Sequence, residues 1–290
     1  MSKLAAVLAT SIAISMGFTS LMLIQKVVAQ DIRARAKVTP LQHMRMPTPE
    51  NVKLRETKSC PDGMQHVVGE YCPELVHTCI KERKRDPHVK NPRKTPVVCE
   101  EFAKTSTCLS KKRVHMDFCV DVFEHVEEVS NLPRVYVSWT DAKFSCEIEG
   151  KRLCTTQEWA KSAEGPNDHP LAYGNGYTRD KSICNIDRPW HDANSTPFEK
   201  LDKRVPVGSM KDCKSDYGVY DMAGNVDEHV LNENGSYHHE PWVSTLMGGH
   251  YAGVRNTTRA MTTSHSPDFS WYAHGWRCCQ DVEKKDARSQ

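Results

Sequence analysis

The alternation of apolar and polar residues along the chain predicts where its strands lie. Residues 114–124 alternate apolar and polar side chains, which predicts a strand with one buried face. Residues 60–72 carry turn residues at both ends of an apolar patch, which predicts a short hairpin. After Ala163 short apolar pieces are separated by Gly, Pro, Asn and Asp, which indicates loops and short strands rather than long helices.

Two helices are predicted between these regions. The first begins at an N-cap, Ser138 or Thr140, and ends at Gly150. Its inward side is predicted to hold Ala142, Phe144, Ser145 and Ile148. The second follows Thr155-Thr-Gln-Glu158, a capping-box pattern in which a threonine and a glutamate three residues later satisfy each other's backbone.

The first 29 residues read as a signal peptide or N-terminal anchor. A charge-free, mostly apolar run lies between Lys3 and Lys26, and small residues suited to a signal peptidase precede Gln30. The flank after the run is more basic than the flank before it, which disfavours an anchor that keeps its N-terminus inside. Cleavage is therefore favoured. Residues 30–58, with three prolines and an excess of basic residues, are predicted to be a flexible basic linker.

Charge and apolar content limit the possible partners. The chain of 290 residues has 39 basic and 37 acidic residues, so nothing in its balance calls for nucleic acid. With 38% hydrophobic residues, one core wrapped in long loops is expected. The basic run at residues 81–94 could bind an anionic surface, but a solvated loop closed by disulfides is the commoner case. A membrane is expected to be contacted only through the N-terminal segment, if that segment is uncleaved.

The twelve cysteines all lie after residue 59. An even count in an exported chain indicates disulfides, up to six of them. A zinc site would need close CxxC pairs with matching partners, and the chain has none. The cysteines therefore support export, to the periplasm, the cell envelope or the extracellular space.

Residues 216–228 concentrate unusual side chains in one short stretch. Gly218 and Gly224 suit tight turns because glycine adopts positive φ without steric cost. Asp221 and the carbonyls that its turn exposes are the hard oxygen ligands that calcium prefers. A purely structural turn capped by Asp and Asn side chains explains the residues equally well.

This stretch, Gly-Val-Tyr-Asp-Met-Ala-Gly-Asn-Val-Asp-Glu-His, resembles the GLYDMxGNVWEW signature of the formylglycine-generating enzyme (sulfatase-modifying factor) family. Four further segments, at residues 137–142, 150–159, 248–250 and 275–278, are similar to family segments and occur in the family's order. The resemblance covers roughly residues 117 to 280 and is closest to a secreted, Cys-rich branch.

The resemblance implies an α+β fold, the formylglycine-generating-enzyme-like variant of the C-type-lectin-like fold, loop-rich and pinned by disulfides. The domain would span residues 59–282, with a Cys-rich lead-in at 59–116, a core at 117–282 and a free tail at 283–290. The family also pairs the cysteines that correspond to Cys146 and Cys278.

The family's oxidase reaction uses two cysteines that bind copper and activate oxygen. They would fall near Tyr251 or Ala252 and near Asn256 to Thr258, but this stretch contains no cysteine. Copper(I) requires soft thiolate ligands, so the oxidase activity is not transferred to this chain, and copper is not expected.

Calcium is the cofactor that the resemblance implies. One calcium ion would be held by a first set of residues, Asp221, Met222, Gly224 and Val226. A second would be held by Asn185, Ile186, Glu199 and Leu201. These residues offer the carboxylate, amide and carbonyl oxygens that calcium takes.

The histidines leave the question of iron open. Local candidates are His238, His239, Glu240 and His265, but adjacent histidines on an extended segment point to opposite sides, so ordinary surface histidines are favoured. A binding groove could instead combine charge with aromatic area. Its residues would be Arg255, Arg259, His265, Trp271 and Tyr272, although Arg259 and Trp271 could equally serve packing.

The sequence therefore favours an exported, calcium-stabilised, non-catalytic binding or structural module of the cell envelope, with a protein or glycan ligand. The alternative is a metal-dependent oxidoreductase, using non-heme iron or copper, of the formylglycine-generating and sulfoxide-synthase superfamily. The missing cysteine pair distinguishes the two and favours the first.

Overall fold

The computed structural model describes residues 60–83, 97–233, 243–253 and 255–282. The predicted signal segment, the basic linker, most of the basic run, the pair His238 and His239, and the tail at 283–290 lie outside the described residues. Within these described ranges no helix has the length and apolar character needed to cross a membrane.

The described part of the chain contains short strands and three helices. The strands are β1 Met64–Tyr71, β2 Leu75–Glu82, β3 Cys99–Cys108, β4 Val114–Asp121, β5 Arg152–Leu153, β6 Asp227–Leu231, β7 Ser244–Met247, β8 Met261–Thr262, β9 His274–Trp276 and β10 Cys278–Asp281. The helices are α1 Trp139–Ile148, α2 Thr156–Glu164 and α3 Phe198–Leu201. Long connections between these elements make the fold loop-rich, as expected.

These strands form three sheets. One has the order β1-β4-β10-β5, the second consists of β2 and β3, and the third has the order β8-β7-β6-β9. All neighbours are antiparallel except β6 and β9, which run parallel with Asp227 opposite His274. A parallel pair needs a long crossover connection, so two segments distant in sequence are brought side by side here.

Both predicted helices are present, and each begins with a capping box. Ser138 and Asp141 cap α1, while Thr155 and Glu158 cap α2. The predicted inward side of α1 was partly wrong, because Phe144 and Ile148 are 63% and 61% exposed. The buried side of α1 consists instead of Trp139, Ala142 and Cys146. Its orientation is set by a disulfide from Cys146 and by a 2.8 Å hydrogen bond from the Trp139 indole to the Val230 carbonyl.

The hairpin predicted at residues 60–72 was also wrong. This segment forms the single strand β1, which pairs over its whole length with β4 some fifty positions later. The disulfide from Cys60 to Cys119 joins one end of β1 to β4, and the disulfide from Cys72 to Cys108 joins the other end to β3. Long-range pairing therefore overrides the local turn signals. The predicted strand at 114–124 is present as β4.

Six disulfides use all twelve cysteines. Besides the two at β1 they are Cys79–Cys99, Cys146–Cys278, Cys154–Cys279 and Cys184–Cys213. The Cys146–Cys278 bond is the pair that the family resemblance implied. Two adjacent bonds at Cys278 and Cys279 tie β10 to the segments around both main helices.

The centre of the core contains a charged pair. The Glu228 carboxylate accepts hydrogen bonds from the Arg277 guanidinium at 2.6 Å and from the Trp159 indole at 2.7 Å, and all three side chains are buried. A buried carboxylate is costly unless it is paired, and Arg277 supplies that partner. These contacts join β6 to α2 and to Arg277, the residue between β9 and β10.

Candidate functional site

The first calcium-loop prediction falls on a tightly packed turn before β6. Asp221 adopts a left-handed conformation with φ +57°. At Gly224 an added Cβ would lie 2.2 Å from the Asn185 carbonyl oxygen, so only glycine fits there. The two predicted calcium-binding sets are therefore adjacent in space.

Asp221 offers a carboxylate oxygen without a protein partner. Its Oδ2 accepts a 2.7 Å hydrogen bond from the Gly208 backbone N–H, whereas its Oδ1 is buried and has no hydrogen-bond partner. Burial raises the pKa of this carboxyl to about 7. A buried carboxylate oxygen without a donor or cation is unfavourable. The first set of residues, which can add backbone carbonyls to this oxygen, therefore fits a calcium ion.

The second set is arranged differently. The Asn185 side-chain oxygen accepts a 2.8 Å hydrogen bond from the Arg188 guanidinium, and the Leu201 carbonyl accepts a 2.7 Å hydrogen bond from the Tyr251 hydroxyl. Glu199 is exposed on α3. Arg188 and Tyr251 already donate to two of the oxygens of this set, so it offers calcium fewer free ligands than the first set.

A cleft of about 470 Å³ lies beside the third sheet. It is lined by Trp190, Asp227, Leu246, Gly249, His250, Ala252, Gly253, Arg255, Thr262, His265, Trp271 and His274. The parallel pairing of β6 with β9 places Asp227 opposite His274, and the segment after β7 contributes His250 and Arg255. This volume and this mixture of aromatic and polar side chains are typical of a binding site for a small ligand.

A carboxyl group and a guanidinium group line the cleft. Asp227 is buried and accepts a 3.1 Å hydrogen bond from the Gly249 N–H, and burial raises the pKa of its carboxyl to about 7. Arg255 is exposed and donates only a long hydrogen bond, 3.4 Å, to the Met261 carbonyl. Across the ranges that the structure describes, neither side chain forms an ion pair. Both groups are therefore available to a ligand.

Three histidines of the cleft are held neutral. Burial and the nearby Arg255 lower the pKa of His250 to about 4, and they also lower the pKa of His265. Burial and neighbouring histidines lower the pKa of His274 to about 2. The His250 Nδ1 accepts a hydrogen bond from the Ala252 N–H at 3.3 Å, so the proton of this neutral ring is on Nε2.

The His274 ring has an unused polar atom. Its Nδ1 is buried and has no hydrogen-bond partner, and the same is true of the Nδ1 of the neighbouring His229. The centroids of these two rings are 5.4 Å apart. His229 donates from its Nε2 to the Val137 carbonyl at 3.0 Å, which leaves its Nδ1 as an acceptor.

Three residues of the predicted groove line this cleft, namely Arg255, His265 and Trp271. Tyr272 is buried and packs in a cluster with Tyr251. Arg259 lies elsewhere, because it pairs with the buried Glu164 and stacks 4.4 Å from the centre of the Tyr71 ring. A fully buried carboxylate needs a cationic partner, and this need determines where Arg259 lies.

Sequence reasoning missed Trp190, Asp227, His250 and His274. A signal was present for two of them, because Asp227 stands where the family signature GNVWEW has its first tryptophan, and His250 stands at the serine of RGGSW. These departures replace an indole and a hydroxyl with titratable groups at the cleft. Trp190 and His274 carried no such signal.

The positions where family cysteines were expected have other roles. The Asn256 side chain donates to the Gly248 carbonyl at 3.0 Å, and the Thr258 hydroxyl donates to the His169 carbonyl at 3.0 Å. Both side chains are fully buried. They brace the loop beside the cleft and offer no thiolate.

Comparison with known proteins identifies relatives of the chain. The model of the sulfatase-modifying factor enzyme 1-like domain matches residues 79–282. An inactive C-alpha-formylglycine-generating enzyme 2 from Bos taurus is 29% identical over 162 residues, which cover 53% of this chain and 52% of the relative. A formylglycine-generating enzyme from Thermomonospora curvata is 29% identical over 172 residues, 52% of this chain and 56% of that protein. The chain thus spans about half the length of these curated relatives.

A solved structure, that of CarF, has a similar fold with a TM-score of 0.50 and 14% identity, covering 77% of this chain and 99% of CarF. At this identity the likeness concerns the fold alone. Together with the family match it confirms the fold class, an α+β formylglycine-generating-enzyme-like variant of the C-type-lectin-like fold.

Proposed function

The chain belongs to the sulfatase-modifying factor enzyme 1-like family, and on that premise we propose that it is an exported, calcium-stabilised, non-catalytic binding module of the cell envelope. Its cleft is the ligand site, and the ligand is a protein or a glycan. The oxidase reaction of the family is absent.

The missing cysteine pair is the observation that carries this proposal. The reaction of the family depends on two cysteine thiolates, the soft ligands that copper(I) favours. The stretch from Tyr251 to Thr258 has no cysteine, and all twelve cysteines of the chain are in disulfides. Inactive C-alpha-formylglycine-generating enzyme 2 proteins of Bos taurus and Mus musculus are among the relatives, which is compatible with a non-catalytic role.

Calcium binding is supported by the unpartnered oxygen of Asp221. The ion is held by Asp221 together with Met222, Gly224 and Val226, and it supplies the positive charge that this buried carboxylate lacks. Calcium prefers such a mixture of carboxylate and carbonyl oxygens. Bound there, it fixes the turn that leads into β6 and therefore the position of Asp227 in the cleft.

Export is supported by the six disulfides, because such bonds persist in oxidising compartments and are rare where thiols are kept reduced. The predicted signal segment at residues 1–29 agrees with this localisation. Disulfides this numerous suit a module that must stay folded outside the cytoplasm.

One feature favours the alternative, a metal-dependent oxidoreductase. Three imidazoles, from His250, His265 and His274, line the same cleft. However, within the described ranges no three His, Cys, Asp or Glu side chains are grouped so that they could hold a metal ion. The binding module is therefore the better-supported reading.

Elemental analysis of the mature protein, dialysed against calcium without chelator, tests the proposal. About one calcium per chain with neither copper nor iron is expected. The same sample should consume no oxygen when given a peptide with the cysteine motif of a sulfatase. Copper or iron near one per chain, accompanied by oxygen uptake, would overturn the proposal and direct attention to the cleft histidines.

A further inference from the structure

The two charges of the cleft restrict the charge of its ligand. Asp227 and Arg255 line the same 470 Å³ space, and neither is neutralised by an ion pair in the described part of the chain. When Asp227 is ionised, its charge and that of Arg255 offset each other, so the pair favours neither a net anion nor a net cation. A ligand without net charge is repelled by neither group. It can accept hydrogen bonds from the guanidinium of Arg255 and donate hydrogen bonds to the carboxylate of Asp227.

The other polar side chains of the cleft can donate and accept hydrogen bonds. The His250 Nε2 carries a proton and can donate to a ligand. Thr262 adds a hydroxyl, which both donates and accepts. A ligand rich in hydroxyl groups suits this mixture, because each hydroxyl can act as donor or acceptor according to the group that it faces.

Two indoles supply apolar surface beside these polar groups. Trp190 is 63% exposed, an unusual position for so large an apolar side chain. Trp271 is half-buried, and its orientation is fixed by edge-on contacts with His250 at 5.5 Å and with His274 at 5.6 Å between ring centroids. Flat aromatic faces next to hydrogen-bonding groups suit a ligand with one apolar face and a polar rim.

We propose that this cleft binds a neutral saccharide, whose ring stacks on Trp190 or Trp271 while its hydroxyls bond to Asp227, Arg255 and the cleft histidines. This inference rests on the proposed function, since it names the ligand class of the same site. The C–H face of a sugar ring covers an indole, and its equatorial hydroxyls reach both charges without adding a charge of their own.

Disaccharides that differ in charge test the inference. Cellobiose, maltose and N,N′-diacetylchitobiose are neutral, deacetylated chitobiose is cationic and digalacturonic acid is anionic. Calcium-loaded protein is titrated with each, and binding is followed by saturation-transfer NMR and by calorimetry. Glycylglycine, a zwitterion without a sugar ring, is the probe for a small peptide ligand.

At least one neutral disaccharide should bind more tightly than the charged ones and glycylglycine. Trp190→Ala should lower that affinity about tenfold or abolish it, because stacking and apolar contact with one aromatic side chain account for roughly this factor. Phe144→Ala is the matched control. Phe144 is also 63% exposed but lies on α1 outside the cleft, so its removal should leave the affinity unchanged.

Three results would overturn the inference. The first is that no neutral disaccharide binds. The second is that a charged disaccharide or glycylglycine binds as tightly as the neutral ones or more tightly. The third is that Trp190→Ala leaves the binding of a neutral disaccharide unchanged. Each of these leaves the proposed function in place if the same samples bind calcium and consume no oxygen. Oxygen uptake with the cysteine peptide would instead contradict the proposed function.

Discussion

Asp221 gives the sharpest test of the proposed calcium site. The perturbation is Asp221→Asn, which keeps an oxygen able to accept from the Gly208 N–H and replaces the unpartnered, buried oxygen with an uncharged amide group. Removal of an uncompensated buried charge does not weaken the calcium-free protein. The calcium-free variant is therefore expected to be at least as stable as the calcium-free wild type.

The wild type should respond strongly to calcium. An ion that binds only the folded state stabilises it by about 2.7 kcal/mol when its free concentration is 100 times the dissociation constant. For a domain of this size each kcal/mol raises the melting temperature by about 2–4 °C, so an increase of about 5–11 °C is expected. In the Asp221→Asn variant, calcium should raise the melting temperature little or not at all.

Thermal unfolding followed by intrinsic fluorescence, with and without a calcium chelator, measures this difference. Asp216→Asn is the control, because Asp216 lies in the same stretch but is partly exposed and accepts a hydrogen bond from Asn167. It should keep the calcium response. The reasoning is refuted if the wild type melts at the same temperature in calcium and chelator, or if Asp221→Asn retains the increase.

Three further outcomes are expected. Calcium titration should give one binding site per wild-type chain. Arg188→Ala should add a second, weaker site, because it releases the Asn185 oxygen. Two sites in the wild type would contradict the expected role of Arg188. In urea unfolding, Arg277→Met should lower the free energy of unfolding by roughly 3–5 kcal/mol, because Glu228 loses its buried partner. Arg152→Met removes a more exposed ion pair and should lower it by about 1 kcal/mol or less. Burial lowers the pKa of His274 to about 2, so below pH 6.5 the unfolded state binds a proton that the folded state does not, and the free energy of unfolding falls with pH. His274→Asn should reduce the slope of the free energy of unfolding against pH by up to about 1.4 kcal/mol per pH unit. An unchanged slope would contradict the lowered pKa of His274.

The sequence predicted those features that depend on near neighbours. The caps at Ser138 and Thr155 each need a carboxylate three residues later, so the helix starts were visible in the chain. The buried side of α1 was not predictable in this way, because it depends on a disulfide between Cys146 and a residue 132 positions later. The strand β1 was mistaken for a hairpin for the same reason, since its partner β4 is distant in sequence.

The same distinction applies to the cleft. Arg255, His265 and Trp271 are close enough in sequence to be predicted as one groove. Arg259 was placed with them, but its position is decided by Glu164, 95 residues earlier, whose burial demands a cation. His274 enters the cleft only through the parallel pairing of β9 with β6, and Trp190 comes from a loop far from both.

On the proposed function, the departures from the family signature explain how one scaffold could lose a reaction and keep a site. Glu228, which follows Asp227 in β6, is held in the core by hydrogen bonds from Arg277 and Trp159. The residues that differ lie at the cleft itself. Asp227 replaces an aromatic residue of the signature, and Asn256 and Thr258 brace the loop where the metal-binding thiolates would be expected. All twelve cysteines are in disulfides, so the cleft has no free thiolate for copper(I), yet it offers hydrogen-bonding groups and exposed indole surface. Such a lining suits recognition of a polar molecule rather than the activation of oxygen.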